Sequence, residues 1–332
     1  MSSKKTPVTK PFAESMRDRQ LEWALGAGIP VAALEKRREE VSWVLRSEHQ
    51  NLNLFRPDWW AYIAGREHRW ARALNSSQCF AVNVFAPLAE EPTRARRALQ
   101  VLLLNRNLGS QDTVCVEFEF TPEGAPEWLG ERRQATQLDV YFRVARSGRC
   151  IGHVLVEVKF TETSFGCCRG WEANPDKPIR NPDPSRCLNV SAILSAPQAN
   201  CWLAQVEGRQ YWKIMSDAES SIREEAVRTA GVCPFRHGLY QMMRNRVLAD
   251  ELARRTGATW ADFAVCRHPA NQALIVLKEP VSSVPDAIGA FRSLSSDDAV
   301  LDWDAGNIVR IIRSTDDRLK EWEKWMLERY FG

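Results

Sequence analysis

No stretch of this sequence approaches the roughly 18 consecutive apolar residues of a membrane-spanning helix, and its start, MSSKKTPVTKP, lacks the apolar centre of a secretory signal. A soluble, cytoplasmic protein with no membrane partner is the expectation. Histidine is sparse, at five residues, and none sits in a metal-binding spacing. No Cys-x-x-Cys pair occurs, so the strongest sign of a zinc ribbon is missing. A dominant charge is missing as well: 45 Lys and Arg against 42 Asp and Glu leave +3. That is too little for the footprint of a free-standing nucleic-acid binder, and local clusters must decide the question. Internal repeats are absent, and no low-complexity tract follows the polar leader.

What is present suffices for a full core, since 44% of the 332 residues are hydrophobic. The length suits one large domain with helical additions or two closely joined ones. Nine cysteines in a cytosolic chain are buried thiols or metal ligands rather than a disulfide framework, because that compartment keeps thiols reduced. Most of the thirteen tryptophans, among them Trp23, Trp43, Trp202, Trp212, Trp322 and Trp325, fall in helix-like patterns that suit core packing.

Residues 12–48 carry helical spacing interrupted at Gly26-Ala27-Gly28-Ile29-Pro30, which predicts two helices. A third is predicted over 59–74, another from Gln78 to about Phe85, and an arginine-bearing one over 93–104. Residues 1–75 thus form an amino-terminal helical region, 76–280 a core with a cysteine-rich loop at 163–200, and 281–332 a helical tail. The period changes to two in Val114-Cys115-Val116-Glu117-Phe118-Glu119-Phe120, then in Gln137 to Val144, then in Gly152 to Phe160. These are three successive strands, the last two joined by the turn Arg146-Ser147-Gly148-Arg149. Helices are predicted over 200–215 and within 217–257, short strands at 263–265 and 273–277, and helix again from Asp298.

Because successive strand side chains alternate faces, the apolar residues of each strand leave Glu117 and Glu119, then Asp139, then Glu157 and Lys159 on the opposite face. If the strands are neighbours, carboxylates and one ammonium gather on one side of a small sheet. Grouped carboxylates repel, and a hard divalent cation such as Mg²⁺ relieves them. Phosphodiester hydrolysis needs this set: a cation for the phosphoryl oxygen and the attacking water, and a lysine to orient the water or neutralise developing charge. The bland alternative is a solvated sheet face with cross-strand ion pairs.

Asp139 followed by Glu157-Val158-Lys159 resembles the PD-(D/E)XK nuclease superfamily, whose restriction-endonuclease-like α/β (α+β) fold runs helix, three strands, helix, strand. The resemblance covers roughly residues 76–280, and Gln137-Leu138 stands where the family name puts a proline. It implies Asp139, Glu157 and Lys159 as catalytic residues. It also implies Mg²⁺ or Mn²⁺ held by Asp139 and Glu157, with Glu117 or Glu119 as a further contact. Glu162 is near enough in sequence to orient Lys159.

Some relatives of that superfamily carry a 4Fe–4S cluster on four widely spaced cysteines. By resemblance, Cys168, Cys187, Cys201 and Cys233, with Cys167 as substitute for Cys168, would hold a 4Fe–4S cluster or Zn²⁺. Ordinary buried thiols are the competing reading, as they are for Cys79, Cys115, Cys150 and Cys266. Arg94, Arg97 and Arg244 are the candidates for contacts to DNA phosphates, against solvated helix faces as the alternative. The implied activity is a DNA endonuclease of restriction, defence or repair, with a homodimer or a partner protein supplying further DNA contacts. A single-strand exonuclease, a non-catalytic nucleic-acid-binding module and a metal-stabilised interaction protein are the competing functions. Lys159→Ala separates catalysis from mere binding.

Overall fold

Alternating apolar residues in three consecutive segments build the centre of the molecule, and the computed structural model places them side by side. It describes residues 10–332 apart from 38–39, 133–134, 172–180, 278, 280, 282–283 and 297. Most of the polar leader, and part of the cysteine-rich loop, therefore lie outside the described residues.

After two short amino-terminal strands, β1 (Leu34–Arg37) and β2 (Glu40–Leu45), strands β3 (Thr113–Phe120), β4 (Leu138–Arg146) and β5 (Arg149–Lys159) form an antiparallel meander. The turn between β4 and β5 has Ser147 at φ 50° and Gly148 at φ 79°, the paired left-handed conformation that matches the twist of a two-residue hairpin. Two parallel strands, β6 (Trp260–Arg267) and β7 (Leu301–Asp304), complete a five-stranded sheet of order β3-β4-β5-β6-β7. At the β5–β6 step, a Cβ on Gly152 would stand 2.1 Å from the Trp260 ring, so only glycine admits that indole.

A parallel pair needs a crossover, and the helix that packs against β5 and β6 is Tyr240–Thr256, numbered α4 here. This corrects the expectation that 200–215 is the core helix. That segment is broken into Trp202–Glu207 and Tyr211–Met215, with Gly208 at φ 75° between them. The strand expected at 263–265 is the middle of β6. The one expected at 273–277 is instead a short 3₁₀ turn at Gln272–Leu274. β7 was not foreseen, because four residues carry too little periodicity to register.

One face of the sheet (Val140, Phe142, Val154, Val156, Val158) buries its side chains beneath α2 (Ser77–Glu90) and α3 (Pro92–Leu102), with α5 (Ala305–Ser314) and α6 (Lys320–Met326). Phe80 stacks on Phe160 with centroids 4.5 Å apart, a pairing worth about 1 kcal/mol beyond its area. Pro87 lies inside α2 and cannot donate to the Asn83 carbonyl, and Trp322 Nε1 makes that bond instead at 2.8 Å. The opposite face (Tyr141, Leu155, Phe263, Val265) packs on α4 and the cysteine-bearing segments.

The amino-terminal region departs from the helical expectation. Helix α1 (Phe12–Gly26) forms, but the second predicted helix is a hairpin of β1 (Leu34–Arg37) and β2 (Glu40–Leu45). Val44 also bridges to Ala73, so tertiary pairing overrides local helix preference here. Residues 57–62 make a 3₁₀ helix rather than the start of a long one. The α+β order of helix, three strands, helix and strand holds, with β7 added at the far edge.

Candidate active site

The antiparallel ladder between β4 and β5 ends at the pair Val140 and Val156. The next pairs in register would be Asp139 with Glu157 and Leu138 with Val158. Instead the strands part, and the Val158 amide donates to Asp139 Oδ2 at 2.6 Å. Val158 is the residue between Glu157 and Lys159, so the two halves of the motif are joined by one hydrogen bond where the strands diverge. The opening is a cavity of about 320 Å³ lined by Glu119, Asp139, Glu157, Lys159 and Glu162 from the strand ends and by Gln241, Arg244 and Asn245 from α4.

Lys159 Nζ sits 2.7 Å from Glu157 Oε1, and Asn245 Nδ2 donates to Glu157 Oε2 at 2.7 Å. Both oxygens of this buried carboxylate are therefore oriented. Burial, and after it the charge of Glu157, raise the Asp139 carboxyl well above the usual carboxylate range. Burial opposes the Lys159 ammonium, but Glu157, Glu162 and Asp139 outweigh it and keep the side chain charged. Glu162 accepts the Phe160 amide at 2.8 Å.

Glu119 is at φ 48°, a conformation uncommon for a residue other than glycine and associated with functional sites. Its carbonyl accepts from Arg66 Nη1 at 3.2 Å and from Gln137 Nε2 at 3.1 Å. Its carboxylate is buried, receiving Gln78 Nε2 at 2.7 Å and standing 3.1 Å from His68 Nε2. The hydrogen bond to Glu119 holds the His68 imidazole above its ordinary pKa. Gln78 Oε1 in turn accepts the His68 amide at 2.9 Å. Glu117, by contrast, is exposed on β3 and does not line the cavity, which corrects the expectation of a metal contact there.

Of the three candidate arginines, Arg244 lines this cavity. Its Nη2 donates to Thr136 Oγ1 at 2.9 Å, and Thr136 donates in turn to the buried Glu131 at 2.5 Å. Arg94 is corrected: its guanidinium is buried, 2.6 Å from Asp316 and bonded to the Pro87 carbonyl, and is not open to a phosphate. Arg97 is exposed, but its helix packs on the other face of the sheet and it donates to the Thr315 carbonyl. His68, Gln78, Gln241 and Asn245 were missed by sequence reasoning. The i, i+3, i+4 spacing of 241, 244 and 245 was a usable signal, since it puts all three on one helix face; nothing in the sequence marks His68.

Cys168, Cys187, Cys201 and Cys233 line a second, small cavity of about 20 Å³, whereas Cys167 does not. Burial, and then the neighbouring thiols, push Cys187 up to about 11 and raise Cys168 and Cys233 as well. Elsewhere, Cys79 and Cys266 are buried, Cys150 is half-buried and Cys115 is exposed.

Among the described residues, no group of three His, Cys, Asp or Glu side chains is arranged to hold a metal ion as the side chains stand. A Mg²⁺ that keeps several waters needs only one or two protein carboxylates. The mutual repulsion of Asp139 and Glu157, with oxygen donors only, fits such an ion. Among the described residues, no helix is long and apolar enough to cross a membrane.

No curated protein and no solved structure matches the chain. One family model does: that of REase-ARP, the restriction endonuclease associating with ARP, over residues 40–331. This span runs from the start of β2 through the sheet and the carboxylate cavity to the last helical turn, and the chain belongs to that family.

Proposed function

We propose that this chain is a Mg²⁺- or Mn²⁺-dependent nuclease that hydrolyses DNA phosphodiester bonds as an endonuclease. The observation that carries the reading is the Val158 amide bond to Asp139, which fixes that carboxylate beside Glu157 and Lys159 in one water-accessible cavity. Asp139 and Glu157 would hold the ion, with Glu119 as a further contact. The ion, when bound, supplies a more acidic water and a counter-charge for the phosphoryl oxygen.

The residues of the chain divide the remaining work. Lys159 stays charged among three carboxylates, so it can orient a water and offset negative charge that develops on the phosphate. Asn245 keeps Glu157 in one rotamer, and Arg244 presents a cation at the cavity wall where a substrate phosphate would lie. A homodimer or a partner protein would add further DNA contacts, which suits a chain with a net charge of only +3.

The test is to incubate the purified protein and its Lys159→Ala variant with supercoiled and single-stranded DNA in Mg²⁺, Mn²⁺ or EDTA. Metal-dependent cleavage that the variant loses while still binding DNA supports the reading. Equal inactivity of both proteins with every metal would overturn it.

A further inference from the structure

The loop that follows Ile63 is exposed at every residue from 64 to 70, yet it is held at both ends. Arg66 Nη1 donates to the carbonyls of Phe118 at 2.9 Å and Glu119 at 3.2 Å, and Arg66 Nη2 to that of Tyr62 at 2.9 Å. Buried Gln78 accepts the His68 amide and donates to the Arg66 carbonyl at 3.0 Å and to Glu119 Oε1 at 2.7 Å. Beyond the loop, Asn53 Nδ2 donates to the carbonyls of Ala71 at 3.0 Å and Ala73 at 2.8 Å. An exposed segment anchored in this way is pre-organised for a partner, because little freedom remains to be lost on binding.

What the loop presents is basic and aromatic. Its one carboxylate, Glu67, accepts from Trp60 Nε1 at 3.3 Å. Trp70 is 50% exposed, and among the described residues it is the only Trp, Tyr or Phe in the exposed class. The Arg69 guanidinium lies 5.1 Å from the Trp70 ring centroid, so a cation and a flat apolar surface stand together in solvent. Two residues earlier, His68 lines the carboxylate cavity. Two residues of chain span at most about 7 Å, which is about two nucleotide steps of a strand at roughly 3.4 Å each.

We infer that Trp70 and Arg69 form a stacking platform for an unpaired base beside the scissile phosphate, so that the substrate is DNA with a single-stranded segment at the cut site. The inference rests on the nuclease reading of the carboxylate cavity. Every base offers a flat face to an indole, but inside a continuous duplex both faces are covered by neighbouring bases. Stacking on Trp70 therefore selects for the state of the strand and not for its sequence. Arg69 adds a phosphate contact of the kind that positions a strand without reading it.

The experiment is fluorescence anisotropy of the full chain, in Ca²⁺ and in EDTA, with a labelled single strand and with the fully paired duplex of the same sequence. The unaltered chain should bind the single strand more tightly. Trp70→Ala should weaken that binding about 10-fold or more and duplex binding by no more than about two-fold, while Trp70→Phe keeps most of the affinity. Arg69→Gln should lower the log–log salt slope on the single strand by about 0.7. Single-strand affinity that survives Trp70→Ala, equal losses on single strand and duplex, or no binding to either DNA overturns the inference. The nuclease reading is scored separately, by metal-dependent cleavage: a chain that cleaves DNA but binds a single strand equally well after Trp70→Ala loses the platform alone.

Discussion

Asn245 donates to Glu157 Oε2 at 2.7 Å while Lys159 occupies Oε1 of the same carboxylate, so a helix side chain aims a strand carboxylate from across the cavity. Partners that orient metal-ligating carboxylates commonly matter by 10–100-fold. Asn245→Ala should therefore lower kcat for DNA cleavage by about that range while thermal unfolding shifts little. A variant with undiminished turnover would remove Asn245 from the site.

Glu117 and Glu119 lie two positions apart on one strand but end in different places, one exposed and one buried beside the motif. Glu119→Gln should cut metal-dependent cleavage about 10-fold or more and raise the Mn²⁺ concentration needed for half-maximal rate. Glu117→Gln should stay within about two-fold of the parent. Equal losses from the two substitutions would contradict this division.

Arg244 and Arg94 separate binding from stability. Arg244→Met removes a cation at the cavity wall and should weaken DNA binding several-fold and flatten its dependence on salt. Arg94→Met breaks a buried pair with Asp316 and should cost about 3 kcal/mol of stability, leaving the affinity of the folded fraction unchanged. Fluorescence anisotropy at two salt concentrations, beside urea unfolding, distinguishes them.

Arg329 is fully buried and donates to the carbonyls of Asn53 and Leu74 and to the side chains of Asn53 and Gln20. Its guanidinium lies 4.5 Å from the Trp23 ring centroid and 4.9 Å from that of Trp325. This one residue ties the amino-terminal region to the end of the chain. Arg329→Met strands several buried acceptors and should destabilise the protein by about 3–5 kcal/mol, read as a fall in the urea midpoint. A change below about 0.5 kcal/mol would show that water replaces the guanidinium without cost.

His153 is buried between Tyr141 Oη at 2.7 Å and Thr256 Oγ1 at 2.8 Å. Burial, and then Arg143, lower its pKa from 6.5 to about 4. Between those values the unfolded chain binds a proton that the folded chain does not, so stability rises with pH across that window. The contribution is complete above pH 6.5 and is lost as pH falls towards 4, amounting to about 3 kcal/mol. As pH falls from 7 to 4, the urea midpoint of the protein should fall more steeply than that of His153→Gln, and parallel curves would contradict the assignment.

The sheet was legible because three strands alternate strictly, and the same alternation put Asp139, Glu157 and Lys159 on one face. The amino-terminal hairpin was not, since β1 and β2 are short and have the composition of a helix; their pairing, and the bridge from Val44 to Ala73, arise only when the chain closes on itself. The crossover helix was misplaced for a related reason: residues 200–215 have helical spacing, but Gly208 interrupts them, and only packing against β5 and β6 identifies 240–256 as the helix that covers the motif.

Spacing along the strands by itself determined which acidic and basic side chains share a face, because a strand has a fixed period of two. Whether a charged group on that face or on a helix serves chemistry or structure depends on what surrounds it, and that only the tertiary structure decided. It buried Arg94 against Asp316, exposed Glu117, and brought His68, Arg244 and Asn245 to the carboxylates from distant segments. Local periodicity encodes direction, while desolvation and partner choice are properties of the closed chain.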